Sequence, residues 1–327
     1  MRISGFGRYA LSCVAAAMLA ACGDRAAITA APSANAAGGG WLAPETHNGK
    51  RLIYVANGND ILVLPDHLHD PSIIARITSG VKGAQGLCVD GDGNLYVANG
   101  WGNTVTVYAQ GSITPSRTYT EGIDDPDYPA VDRHSNLFVS NDYGKVTEYR
   151  RGQTRLYRTL QATGTTNGIA LDSHGNLFVS YRTDYRHGGL EEFTPGSTQP
   201  LILPIPLDQP QGLLVTRDGT FVVVQTGNAD GVYIIDPNKP HGSQFVQQIR
   251  FHVRQTPVQV ALSSDERKLF VSEFGWTGEG SVYEADYPIV QSSPTTRVFH
   301  QRVKFIRRGP HRRYSIQGLA ISDAEVP

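Results

Sequence analysis

Beyond residue 50 the chain is dominated by short apolar runs, each closed by Gly, Asn, Asp or Ser. The runs come in a fixed order. In "GLCVDGDGNLYVANGWGNTVTVY" (86–108) an apolar run leads through a polar turn into a second run, then through a loop into a third run of alternating character. The same order returns as "PAVDRHSNLFVSNDYGKVTEY" (129–149), "GIALDSHGNLFVSYRTDYRHGGLEEF" (168–193), "GLLVTRDGTFVVVQTGNADGVYII" (212–235) and "QVALSSDERKLFVSEFGWTGEGSVYEA" (259–285). Period-two patterning between turn residues predicts strands, and even repetition predicts an all-β repeat architecture.

The ends of this region are incomplete in complementary ways. "RLIYVANGNDILVL" (51–64) holds the second and third runs without a first, and "QGLAIS" (317–322) holds a first run alone. Joined, they make a sixth unit shared by the two ends of the chain. The first-run anchors Gly86, Tyr128, Gly168, Gly212 and Gln259 are spaced by 42, 40, 44 and 47 residues, with Gly318 as the sixth. Propeller blades repeat at about 40–50 residues. Segments between copies, such as "SIIARITSG", "TRLYRTLQ" and "SQFVQQIRFHV", are expected to supply outer fourth strands. The prediction is a six-bladed β-propeller, residues 49–327, with one blade closed by N- and C-terminal strands. The repeats resemble the NHL class of propellers, and "LYVANGWGNTVTVY" is similar to the related YVTN repeats. That resemblance implies a fold and leaves function open.

The N-terminus predicts the compartment. Two arginines precede the apolar run "ALSCVAAAMLAAC", too short for the about 20 residues of a membrane span and suited to a signal peptide, residues 1–21. Leu19-Ala20-Ala21-Cys22 resembles the lipobox of bacterial lipoproteins, which implies acylation of Cys22. Residues 22–48, rich in Ala, Gly, Ser and Pro, read as a flexible tether. The expectation is a lipid-anchored protein of the bacterial cell envelope, on the outer membrane facing the periplasm. The formal net charge of −1 carries no basic excess that would suggest nucleic acid. Cys88 is the only cysteine beyond the lipid site, so no disulfide framework supports the fold.

The opening of "DGDGN" (90–94) imitates a calcium loop, but the sixth and twelfth positions hold Leu95 and Trp101 where such a loop needs Gly and Glu. Its counterparts "DRHSN", "DSHGN", "TRDGT" and "SSDERK" mark it as a hairpin turn. Cys88 aligns with Ala130, Ala170, Leu214, Ala261 and Ala320, which predicts packing rather than reactivity.

Candidate chemistry gathers at the mouth of the central tunnel. Just before the six inner strands stand Gln85, Asp127, Asn167, Gln211, Val258 and Gln317. Four amides and a carboxylate suit a neutral hydroxylated ligand. Loops on the same face add Trp101, Tyr143, Tyr185, Arg186, Glu273 and Trp276, residue types that favour a glycan, peptide or protein partner. The expected role is a ligand- or protein-binding scaffold working through this face, without a cofactor or metal. The alternative is a calcium-dependent hydrolase or lactonase similar to gluconolactonase and paraoxonase propellers. That resemblance implies Ca2+ at Asp127 and Asn167, assisted by Glu273 or Asp142; a lyase of the virginiamycin type would instead call on His187 and Glu273. The basic stretch 302–314 reads as a solvated outer strand, and His67 and His69 fall in a loop on the other face.

Overall fold

The computed structural model describes residues 52–65, 68, 73–227, 230–250, 255–275, 279–289, 299, 301–306 and 316–322. Among them lie six four-stranded antiparallel sheets. Blade 1 runs outward from Leu319–Ser322 through Leu52–Ala56 and Ile61–Pro65 to Ala75–Ile77. The innermost strands of blades 2 to 6 are Ala84–Val89, Pro126–Val131, Thr165–Leu171, Gln209–Val215 and Gln255–Leu262. In these five blades the strands follow outward in chain order, and consecutive inner strands contact each other around a closed ring.

The ring is closed by the split blade, as its repeat pattern predicts. Leu52 pairs with Ser322, Ile53 with Ile321, Tyr54 with Ala320 and Val55 with Leu319. The pairing extends through the Ala56 N–H donating to Gly318 O at 2.9 Å and the Gln317 N–H donating to Ala56 O at 3.2 Å. Uniting the termini in one sheet removes the free edge that an open ring of blades would expose.

Each blade is buried on both faces, which explains runs such as "LIYVA" in which every residue is buried. Leu52, Tyr54 and Ala56 pack against blade 2, whereas Ile53 and Val55 alternate with them and pack against blade 6. Six apolar clusters result, one at each blade-to-blade interface. The core is thus a ring of six wedges.

The Asp-rich turns are local caps. Asp90 Oδ1 accepts the N–H groups of Asp92 (3.0 Å) and Asn94 (2.8 Å), and its Oδ2 accepts Asn94 Nδ2 at 2.9 Å. Asp132 and Asp172 repeat the arrangement with His134, Asn136, His174 and Asn176. Gly93 and Gly175 hold φ of +79° and +86° in these turns, and Ser135 adopts +61° at the same place in blade 3. Cys88 is half-buried, and burial followed by the charge of Asp90 pushes its thiol far above the ordinary range, as packing predicts.

Leu319 is 1% exposed and stands in the closing strand between blades 1 and 6. Leu319→Ala is therefore expected to destabilise the protein by about 2–5 kcal/mol. Urea unfolding checks this, and a midpoint shift below one tenth of the parent's would mean the closing strand is peripheral to stability.

Candidate functional site

The inner strands crowd at the axis. Gly86, Gly168, Gly212 and Gly318 occupy equivalent positions, and a Cβ on any of them would collide with the main chain of the next inner strand, at Asp127, Gln211, Val258 and Gln85 respectively. The remaining two positions carry large side chains that occupy the channel instead. Tyr128 of blade 3 crosses the axis, and its phenol donates to Val258 O on the opposite blade at 3.1 Å. Gln259 of blade 6 accepts from Leu319 N at 2.7 Å, and its amide donates to Leu87 O at 3.0 Å, so it spans to blades 1 and 2. Together they floor the mouth. The mouth is a cup.

Five of the expected mouth residues, Gln85, Asp127, Asn167, Gln211 and Val258, lie inside the inner strands rather than ahead of them, each at a break in register, whereas Gln317 precedes its strand as expected. Pairing with the second strand shifts between Ala84 and Leu87, Pro126 and Pro129, Thr166 and Ile169, Pro210 and Leu213, and Pro257 and Gln259. Bulges of this kind interrupt the ladder and re-aim side chains. Three buried serines satisfy the backbone freed there. Ser140 Oγ accepts Tyr128 N–H at 3.0 Å, Ser180 Oγ donates to Gln211 O at 2.7 Å, and Ser272 Oγ accepts Gln259 N–H at 3.1 Å while lying 2.9 Å from Gln317 O. These serines were missed as part of the site, although the recurring "FVS" carries them.

Around the cup the polar residues divide by role. Asn167 is buried and its Nδ2 donates to Pro210 O at 2.8 Å, which ties blade 4 to blade 5. Gln85, Asp127, Gln211 and Gln317 are half-buried. The close approach of Gly100 to both the Gln85 amide and the Asp125 carboxylate places those two groups together. Burial first, then the negative charges of Asp142 and Asp125, push the Asp127 carboxyl well above the usual carboxylate range; Arg182 acts in the opposite sense. Asp125 is itself raised, by burial and then by Asp142 and Asp124. Acidic character is therefore concentrated on blade 3 and its loops, where the inner-strand positions alone indicate one carboxylate.

The aromatic residues stand on the rim. Trp101 is 57% exposed, with its indole lying where a Cβ on Gly83 would collide with it. Tyr143 is 71% exposed and holds φ of +65°, a left-handed conformation that costs a bulky residue about 1–3 kcal/mol. Tyr185 is 80% exposed, and its carbonyl accepts Gln209 Nε2 at 2.7 Å. Beside it the N–H of Arg186 donates to Asp184 Oδ1, and His187 Nδ1 lies 2.8 Å from Asp184 Oδ2.

Glu273 is placed differently from expectation. It is buried within blade 6, accepts the Tyr283 hydroxyl at 2.9 Å, and occupies the second-strand position equivalent to Asn99, Asn141 and Gln225. Those amides accept the N–H groups of Lys82, Asp124 and Asp208 in the loops entering the inner strands. Glu273 thus belongs to a repeated capping position, and blade 5 separates it from His187 on blade 4. Among the described residues no group of three or more His, Cys, Asp and Glu is arranged to hold a metal ion. The side chains of Cys22, Trp276, His67 and His69 lie outside the described residues, as does the loop part of the basic stretch 302–314.

No family model and no curated protein matches the chain. Solved structures do. A chain from the nidogen/laminin complex is similar over 84% of this chain and all of its own length, with 18% identity and a TM-score of 0.63. Virginiamycin B lyase from Staphylococcus aureus is similar over 74% of this chain and 85% of its own, with 13% identity and a TM-score of 0.50. Kuenenia stuttgartiensis hydrazine synthase is similar over 69% and 70%, with 12% identity and a TM-score of 0.51. At these identities the similarity establishes the six-bladed fold.

The raised Asp127 carboxyl has a signed consequence. The folded chain keeps this proton to higher pH than the unfolded chain does, so stability is greatest below the ordinary Asp range. It falls as pH rises from there through the raised folded value. Asp127→Asn is expected to raise the melting temperature relative to the parent at pH 8 and to leave it nearly equal at pH 4. Parallel melting curves at both pH values would refute this origin of the shift.

Proposed function

We propose that this protein is a lipid-anchored propeller of the bacterial cell envelope that binds a ligand or protein partner through the cup and its aromatic rim. The observation that carries the proposal is the crossed axis: Tyr128 and Gln259 reach over the channel to distant blades, so a molecule entering the mouth meets polar side chains there. Half-buried amides at Gln85, Gln211 and Gln317 offer donors and acceptors to hydroxyl groups. Trp101, Tyr143 and Tyr185 supply rigid apolar area at the edge, where sugar rings or partner side chains stack. The strain at Tyr143 and the disfavoured charge at Asp127 both reduce stability, and such departures concentrate at functional sites. A neutral, hydroxyl-rich ligand such as a glycan fits this donor set best.

A second reading keeps the calcium-dependent hydrolase. What favours it is the mutual proximity of Asp127, Asp142 and Asp125, whose repulsion a cation would relieve. Against it, the described residues assemble no metal-holding group, and Asn167 is committed to Pro210. The two readings separate in one experiment. The full-length protein is titrated with neutral oligosaccharides and with peptides, and its melting temperature is followed in EDTA and in calcium. The binding reading expects a saturable ligand that Trp101→Ala and Tyr143→Ala each weaken at least tenfold, with no response to calcium. Binding indifferent to both substitutions would remove the cup as the site. A saturable rise with calcium would install the hydrolase reading, because a ligand held only by the folded state stabilises by about 2.7 kcal/mol at a hundredfold excess.

The anchor is tested at one residue. Cells fed an alkyne-tagged fatty acid are expected to label the protein, and Cys22→Ala is expected to abolish the label; label retained in that variant would place any acylation elsewhere. The expectation follows from the lipobox-like Leu19-Ala20-Ala21-Cys22 and from the need for two or more acyl chains for stable anchoring.

A further inference from the structure

On the face opposite the cup, blades 3 and 4 enclose a cleft of about 310 Å³. Its walls come from the capped turns at 132–136 and 172–175 and from the loops that carry Tyr157 and Thr194–Gly196. We propose that this cleft is a binding site for a small oxyanion, a molecule bearing a carboxylate or phosphate group. It is independent of the cup.

The proposal rests on which polar groups of the cleft already have partners. Three carboxylates line the cleft, and the protein already satisfies each one. Asp132 and Asp172 each accept three hydrogen bonds of 2.8–2.9 Å from their own turns. Glu148, 2% exposed, is paired with Arg158 Nε and lies 3.5 Å from Arg150 Nη1. Arg158 is fixed as well, because its Nη1 donates to Gly196 O at 3.0 Å and bridges the two blades.

Arg150 and Arg133 are differently placed. Arg150 lies 3.8 Å over the Tyr157 ring, which orients the guanidinium plane, and its side chain is 42% exposed. Its Nη1 lies 3.5 Å from Glu148 Oε1, and Arg150 lines the cleft. Arg133 reaches across the blade boundary to Ser173 O at 3.4 Å, and its Nε donates to His134 Nε2 at 3.2 Å. His174 stands on the same rim, 82% exposed. Arg133 and Arg150 therefore line the cleft beside three carboxylates whose oxygens already have partners; with Arg158 the formal charges balance, so recognition rests on the geometry of the guanidinium donors. A planar fork held by aromatic stacking is the arrangement that recognises carboxylate and phosphate oxygens in pairs. The volume suits a small molecule, since ligand pockets begin at about 300 Å³.

Isothermal titration of the full-length protein with inorganic phosphate and with citrate, at fixed ionic strength, tests the site. Saturable binding of at least one probe is expected, weakened at least tenfold by Arg150→Gln and by Arg133→Gln and unaffected by Trp101→Ala on the other face. Arg158 is left intact because it compensates buried Glu148. Binding of phosphate alone or of citrate alone supports the site and identifies its class. Absence of saturable heat with both probes, or affinity unchanged in both arginine variants while their melting temperatures match the parent, would overturn it.

Discussion

Six inner strands converge on the propeller axis, and neighbouring backbones there approach more closely than a methyl group permits. Gly86, Gly168, Gly212 and Gly318 answer that crowding by having no Cβ. The ladder also yields, with register breaks at the same level in the inner strands of blades 2 to 6. A bulge frees backbone groups that cannot be left unpaired in the interior, at about 1–3 kcal/mol each. Ser140, Ser180 and Ser272 meet that need from the neighbouring strand. Glycines, bulges and serines are thus one device.

The same constraint makes the floor of the cup. If every blade carried glycine at this level, the axis would remain an open channel. Tyr128 and Gln259 break the pattern, and their polar ends find partners on distant blades, as buried phenols and amides must. They hold blade 3 to blade 6, and blade 6 to blades 1 and 2, across the axis. The resulting asymmetry extends upward: Asp125, Asp127 and Asp142 sit on blade 3 and its loops, close to Gln85 of blade 2 and Arg182 of blade 4. A sixfold frame therefore presents a one-sided site.

How much of this was legible follows from what repetition records. Features shared by the blades were open to inspection: the strand order, the Asp-capped turns, the split closure and the inertness of Cys88. Features that need the third dimension were not. Tyr128 and Gln259 were visible as anchors that differ from glycine, but their reach across the axis depends on which blades face each other. Glu273 looked like a site residue because it falls in the irregular "EFGWTGEG" loop region, whereas alignment with Asn99 and Asn141 points to capping. The coupling of Asp127 to Asp142 and Asp125 joins residues from different loops, so a count of inner-strand positions underestimated the acid at the mouth. The cleft between blades 3 and 4 draws on residues from 132 to 196 whose spacing carries no motif.

Departure from the repeat is also where function concentrates, and the reason is physical. A residue that recurs in every blade is explained by the demands every blade shares: burial on two faces, turn closure, loop capping. A residue that breaks the pattern must either be neutral or bring a benefit that offsets what it loses. Tyr143 in a left-handed conformation and Asp127 beside two carboxylates are not neutral, because each disfavours the folded state. Arg150 occupies a position where a solvated charge would suffice, yet it lies over the Tyr157 ring, whereas the bridge from Arg133 to Ser173 O recurs between Arg217 and Ser264 O and belongs to the repeat. The crossed axis lies between these two groups, with the cup on one face and the cleft on the other. Both groups draw on blade 3, and the apolar cluster that blade 3 shares with blade 4, which includes Tyr128 itself, is the packing that connects them.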